Sequence, residues 1–210
     1  MSLRDLDLPT PTDLNHRWAA EAAIWNARGW DDVRAEGPVR HHGDGGGNWA
    51  SMVLLPEGRA LLFGQDHEYS QTFAGETAQE FGVEPTDILA GAPAWWGEAL
   101  EQHFNQEFGP WVAFAYGWED GRWQRAEYAA EDGFEELELP FLSHDDTVAS
   151  LVDFLDTTAL DEQLEAEVDQ EAVDALVQAG PAVTEEQLAA VAFSGWDVAK
   201  GVAAARAFVL

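Results

Sequence analysis

Two polar stretches, HHGD at residues 41–44 and DHE at residues 66–68, hold the side chains best suited to chemistry. His41, His42, Asp44, Asp66, His67 and Glu68 would supply the nitrogen and oxygen donors that bind zinc, manganese or iron. The chain between them reads as a β-hairpin, because NWASMVLL (48–55) and RALLFGQ (59–65) flank the turn residues Pro56-Glu57-Gly58. Counting outward from that turn sets Asn48 opposite Asp66 or His67, so the two stretches are expected to meet at one edge of a sheet. A divalent metal there would make the chain a metal-dependent enzyme or a metal-binding protein, and apart from such a metal no cofactor is expected.

Known motifs lend this set little support. It contains neither H-E-x-x-H nor a helical histidine pair, and DGGGNW lacks the alternating oxygen ligands and terminal glutamate of a calcium loop. Gly43 and Gly45 to Gly47 precede a strand, whereas a phosphate-cradling loop follows one and opens a helix. The competing reading is a solvated connection. Ser143-His144-Asp145-Asp146 likewise reads as a helix start rather than a catalytic triad, whose members must face one another from separate elements.

Aromatic residues form the second candidate. PWVAFAYGW and RWQRAEYAA flank Glu119-Asp120-Gly121, and Asp-Gly favours a type I′ hairpin turn. The count pairs Trp118 with Trp123 and Tyr116 with Arg125, gathering Tyr116, Trp118, Trp123 and Arg125 on one face. Together with the neighbours Trp95 and Trp96 these residues are candidates for an exposed aromatic patch. Such a patch suits carbohydrate binding or protein recognition, and burial in the core is the competing reading.

Charge restricts the partners. There are 40 carboxylates against 10 Lys and Arg, a formal net charge of -30, and no Lys or Arg lies between Arg125 and Lys200, a stretch that holds 20 carboxylates. Nucleic acid is not expected as a direct partner, since phosphate binding depends on basic side chains. A basic protein partner is expected instead, which makes the chain a non-catalytic acidic binding module: an inhibitor, an immunity-type factor or an adaptor. An acidity set only by the host proteome is the competing reading. The absence of cysteine excludes disulfides, thiolate metal sites and cysteine nucleophiles and fits a cytoplasmic setting. No apolar run approaches the roughly 18 to 20 residues of a membrane helix, so no membrane association is expected.

The elements that must position these residues begin with a helix over 12–28, where Leu14, Trp18, Ala22 and Trp25 recur at helical spacing and Gly29 ends the pattern. Residues 31–47 read as a long loop, two helices are expected within 71–109, and FEELELPFL (134–142) alternates as an edge strand. Helices follow from Ser143, over ALDEQLEAEVDQEAVDALVQAG (159–180), after the Thr184–Gln187 capping box, and from about Asp197. The fold class is α+β: a mainly antiparallel sheet of two hairpins plus an edge strand, flanking helices, and an all-helical C-terminal third. The expected organisation is an α+β domain over 1–142 and an acidic helical segment over 143–210, packed as one globular unit.

Overall fold

The computed structural model describes residues 3–164 and 167–210, with Glu76 described through its backbone alone. In chain order the elements are β1 (Leu3–Leu6), α1 (Pro11–Arg28), β2 (Val33–Glu36), β3 (Val39–Gly43), β4 (Trp49–Leu54), β5 (Ala60–Gln65) and α2 (Gly75–Phe81). There follow α3 (Ala94–His103), β6 (Phe114–Glu119), β7 (Arg122–Ala126), α4 (His144–Asp161), α5 (Gln170–Ala179), α6 (Glu185–Val191) and α7 (Val198–Arg206). The fold is α+β, with an antiparallel sheet and helices that close the chain. Two compact units divide it: Met1–Thr10 with Pro38–Glu138, and Pro11–Gly37 with Leu139–Leu210.

In the first unit the strands run β1-β7-β6-β5-β4-β3, each antiparallel to its neighbours. The β6–β7 register is the one counted from the Asp-Gly turn: Glu119 faces Arg122, Trp118 faces Trp123 and Tyr116 faces Arg125. Asp120 and Gly121 both adopt positive φ, 53° and 79°, as a type I′ turn requires. In the β4–β5 hairpin Trp49 faces Gln65. Its turn places Glu57 (φ 64°) as well as Gly58 (φ 72°) in the left-handed region. Helix α3 sets Trp96 into a cluster with Trp49, Val53, Leu61 and Phe63. Gly117 makes room for it, since a Cβ there would lie 2.1 Å from the Trp96 ring.

Two expectations fail in this sheet. Residues 31–47 are not one loop, because they form β2 and β3 and leave only Asp44 to Asn48 as the link to β4. Strand β3 buries Arg40, His41 and His42, and a reading keyed to apolar alternation takes such residues for a loop. Residues 134–142 are not a strand but a turn followed by a 3-10 segment, Pro140–Leu142. The alternating Phe134, Leu139 and Phe141 are buried as separate anchors, while the amide of Phe134 donates to Asp132 Oδ1 (3.3 Å) and Glu138 turns the chain at φ 45°. The edge strand is β1, which pairs Leu3 with Ala126 and Leu6 with Trp123.

The second unit is built around α1. Its alanines at 19, 20, 22 and 23 are fully buried and allow close approach of α7, where a Cβ on Gly201 would lie 2.4 Å from the carbonyl oxygen of Ala23. Trp18 stacks on Phe141 with ring centroids 4.0 Å apart, and the Arg17 guanidinium donates to the carbonyls of Phe141 (2.8 Å) and Leu142 (3.1 Å). Ser143 caps α4 by accepting from the amide of Asp146, and Thr184 and Gln187 form the expected capping box of α6. The single helix expected over 159–180 is instead the end of α4 and a separate α5, and residues 165 and 166 of that expectation lie outside the described residues. Asp169 starts α5 afresh by accepting from the amides of Glu171 and Ala172, and Leu160 and Leu164 are exposed rather than buried. Among the described residues no helix is long and apolar enough to cross a membrane.

Candidate functional site

The histidine stretch resolves into local structure. His41 and His42 are consecutive in β3 and therefore point to opposite faces of the sheet. His41 lies flat on Phe108, with ring centroids 3.8 Å apart, and its Nδ1 is 2.9 Å from Ser51 Oγ. Asp44 turns its carboxylate on its own loop, accepting from the amides of Gly46 (2.6 Å) and Asn48 (3.1 Å). Asp66 does the same with the amides of Glu68 (2.9 Å) and Tyr69 (2.7 Å). The two stretches meet as the register requires, but through Asn48, whose Oδ1 accepts from the His67 amide (2.9 Å) and lies 2.8 Å from His67 Nδ1. Among the described residues no three His, Asp or Glu side chains gather as a metal-holding group. This geometry supports a hairpin connection whose glycines let Asp44 and Asn48 close the turn.

The aromatic face lies inside the unit. Tyr116, Trp123 and Trp96 are buried, while Trp118 and Trp95 are half-buried. Trp123 Nε1 donates to the carbonyl of Pro9 (2.6 Å), and Phe134 packs edge-on against Tyr116 with centroids 5.1 Å apart. Trp118 and Trp123 sit 5.5 Å apart, and Trp95 meets the Arg59 guanidinium at 5.7 Å from its ring centroid. The segment after β7 covers this face, which hairpin pairing alone does not reveal.

Burial concentrates the polar ends of this face on Asp132. Its Oδ2 accepts from the Tyr116 hydroxyl (2.7 Å), the Tyr128 hydroxyl (2.7 Å) and Arg125 Nη1 (2.8 Å). The Ser70 hydroxyl donates to the Asp132 carbonyl (2.9 Å), which fixes the backbone that presents the carboxylate. Burial, reinforced by the nearby Asp132 charge, drives both phenols well above the ordinary tyrosine range, so they remain hydrogen-bond donors. Burial acts to lower the Arg125 pKa, yet Tyr128 and Asp132 outweigh it and raise the value overall. Asp132 is absent from the sequence candidates. Its one sequence signal is the spacing to Tyr128, four residues, and to Arg125, seven.

The second unit has a different site. A cleft of about 1090 Å³ opens between α4 and α5, and Asp145, Glu167, Asp169, Glu171 and Asp174 line it with Val148 and Ala149 among the apolar contacts. Among the described residues no Lys or Arg lines it. Beside it His144 Nε2 lies 2.7 Å from Asp174 Oδ1, tying the start of α4 to α5. Asp145 comes from α4, Glu171 and Asp174 from α5, and Glu167 and Asp169 from the segment that leads into α5, so the approach of Asp145 to the other four is invisible in the linear sequence.

Comparison of the chain with protein families, with curated proteins and with solved structures finds no match, so any functional reading rests on the geometry above.

Proposed function

We propose that the protein is an acidic binding module that engages a basic protein partner, with the α4–α5 cleft as its principal contact. The observation that carries this reading is the single sign of charge in the cleft: five carboxylates and no Lys or Arg among the lining residues. Concave clefts lined by one sign of charge focus the field and raise the on-rate of oppositely charged partners. Val148 and Ala149 add an apolar floor for the aliphatic stems of arginine and lysine. The encounter belongs in the cytoplasm, a setting that the absence of cysteine fits.

The test compares two neutralised variants immobilised as bait at about 50 mM salt. Asp145→Asn/Glu167→Gln/Glu171→Gln removes three charges from the cleft, and Glu80→Gln/Glu84→Gln/Glu101→Gln removes three from exposed positions of the first unit. A basic protein retained by the wild type and by the second variant, lost from the cleft variant and released by high salt is the expected result. Equal retention by both variants would remove the cleft from the account.

A further inference from the structure

The first unit sets two arginines side by side and supplies a carboxylate partner to one of them, Arg125. Arg4 of β1 and Arg125 of β7 are direct partners across the antiparallel ladder, so both side chains stand on one face. Directly opposed residues lie about 4.5–5.5 Å apart at Cα, and like charges in that position destabilise a sheet. In a chain with 40 carboxylates and only 10 Lys and Arg, pairing two arginines is the least expected choice. The Arg125 charge is met by Asp132 at 2.8 Å. Exposed Arg4 has no ion pair among the described residues.

Both arginines line one pocket of about 320 Å³, together with the buried Asp132 hub. Its volume falls within the range of small-molecule sites. Leu6, Leu8 and Phe134 provide an apolar wall, and the exposed carboxylates Asp7, Glu131, Glu135 and Glu136 complete the lining. The pocket thus offers paired guanidiniums, an apolar surface and an acidic rim at once.

We propose that this pocket binds a free α-amino acid with an apolar side chain, its carboxylate on Arg4 and Arg125 and its ammonium toward the acidic rim. A guanidinium donates charge-assisted hydrogen bonds in a planar fork that matches a carboxylate, and a ligand carboxylate spanning both arginines relieves their repulsion. The acidic rim repels dianions such as phosphate, so the surrounding carboxylates select for a zwitterion by penalising the alternatives. This site is independent of the α4–α5 cleft and of the basic partner proposed for it.

Calorimetric titration with L-leucine and L-phenylalanine tests the assignment, alongside L-leucinamide, which lacks the carboxylate, 4-methylpentanoate, which lacks the ammonium, and inorganic phosphate. Saturable binding of at least one amino acid is expected, weakened about tenfold or more when either charged group is missing, with phosphate weaker still. Arg4→Gln should weaken that binding at least tenfold without lowering the unliganded melting temperature, because its side chain is exposed and its removal relieves the repulsion with Arg125. Glu135→Gln/Glu136→Gln should weaken it severalfold and narrow the gap between the amino acid and 4-methylpentanoate. Absence of saturable amino-acid binding, binding unaffected by Arg4→Gln, or tighter binding of phosphate than of either amino acid would overturn the proposal.

Discussion

The two units carry nearly the same charge, 21 carboxylates against five Lys and Arg in the first and 19 against five in the second, yet they arrange it in opposite ways. In the first, Arg125 is bound to Asp132, and Arg59 is bound to Glu119 at 2.6 Å and Glu57 at 3.2 Å. In the second, Arg17 is committed to backbone carbonyls, Arg28 to Thr158 and Glu162, and Arg34 to Glu36, while among the described residues no Lys or Arg lines the carboxylate cleft. Net charge therefore describes neither unit. What matters is whether a carboxylate is spent inside the fold, as Asp132 is, or left facing solvent on a concave surface, as Asp145 and Glu171 are.

Removing the internal carboxylate should have the largest effect. Asp132→Ala leaves Arg125 and two phenols without their common acceptor, and stranding one partner of a buried ion pair costs about 3–5 kcal/mol. Urea unfolding should register that loss, and a change below about 1 kcal/mol would break the contrast between the units.

Alkaline pH probes the same hub with a smaller effect. Tyr116 and Tyr128 hold their protons more tightly in the folded protein than in the unfolded chain. Above the ordinary tyrosine value near 10, the unfolded state deprotonates first and stability falls by up to about 1.4 kcal/mol per pH unit for each phenol. Denaturant midpoints measured between pH 9 and 11 should drop steeply in the wild type and less steeply in Tyr116→Phe. A midpoint flat across that range would show that the phenols are not buried donors.

The smallest effect is expected in the second unit. His144 and Asp174 are each about 40% exposed at the side chain. Asp174→Ala should therefore cost less than about 1 kcal/mol by urea unfolding, in the range of a solvent-accessible pair. A loss as large as that of Asp132→Ala would erase the distinction between internal and surface carboxylates.

Much of the first unit was legible because its turns are chemically explicit. Asp120-Gly121 set the β6–β7 register to the residue, and the β4–β5 hairpin brought Asn48 to His67 as counted. Strand β3 was illegible for a physical reason: Arg40, His41 and His42 are buried polar residues, and apolar periodicity cannot see them. FEELELPFL misled for the converse reason, since its alternating apolar residues are anchored one by one around a turn capped by Asp132. The sites were less legible than the fold. Asp132 acquires its role only when the chain after β7 folds back over Tyr116. The cleft likewise requires α5 to begin anew at Asp169 so that Asp145 of α4 meets the carboxylates between Glu167 and Asp174.

Under the proposal, the carboxylates of α4, of α5 and of the segment leading into α5, rather than the total charge, form the cation-accepting surface. Titration of isotope-labelled protein with a hexa-arginine peptide at about 50 mM salt, followed by amide chemical shifts, tests it most directly. Salt-sensitive, saturable shifts concentrated at 145–149 and 167–174 are expected, with the amides around Asp132 unmoved. Shifts spread evenly over the exposed carboxylates of both units, or concentrated in the first, would contradict it.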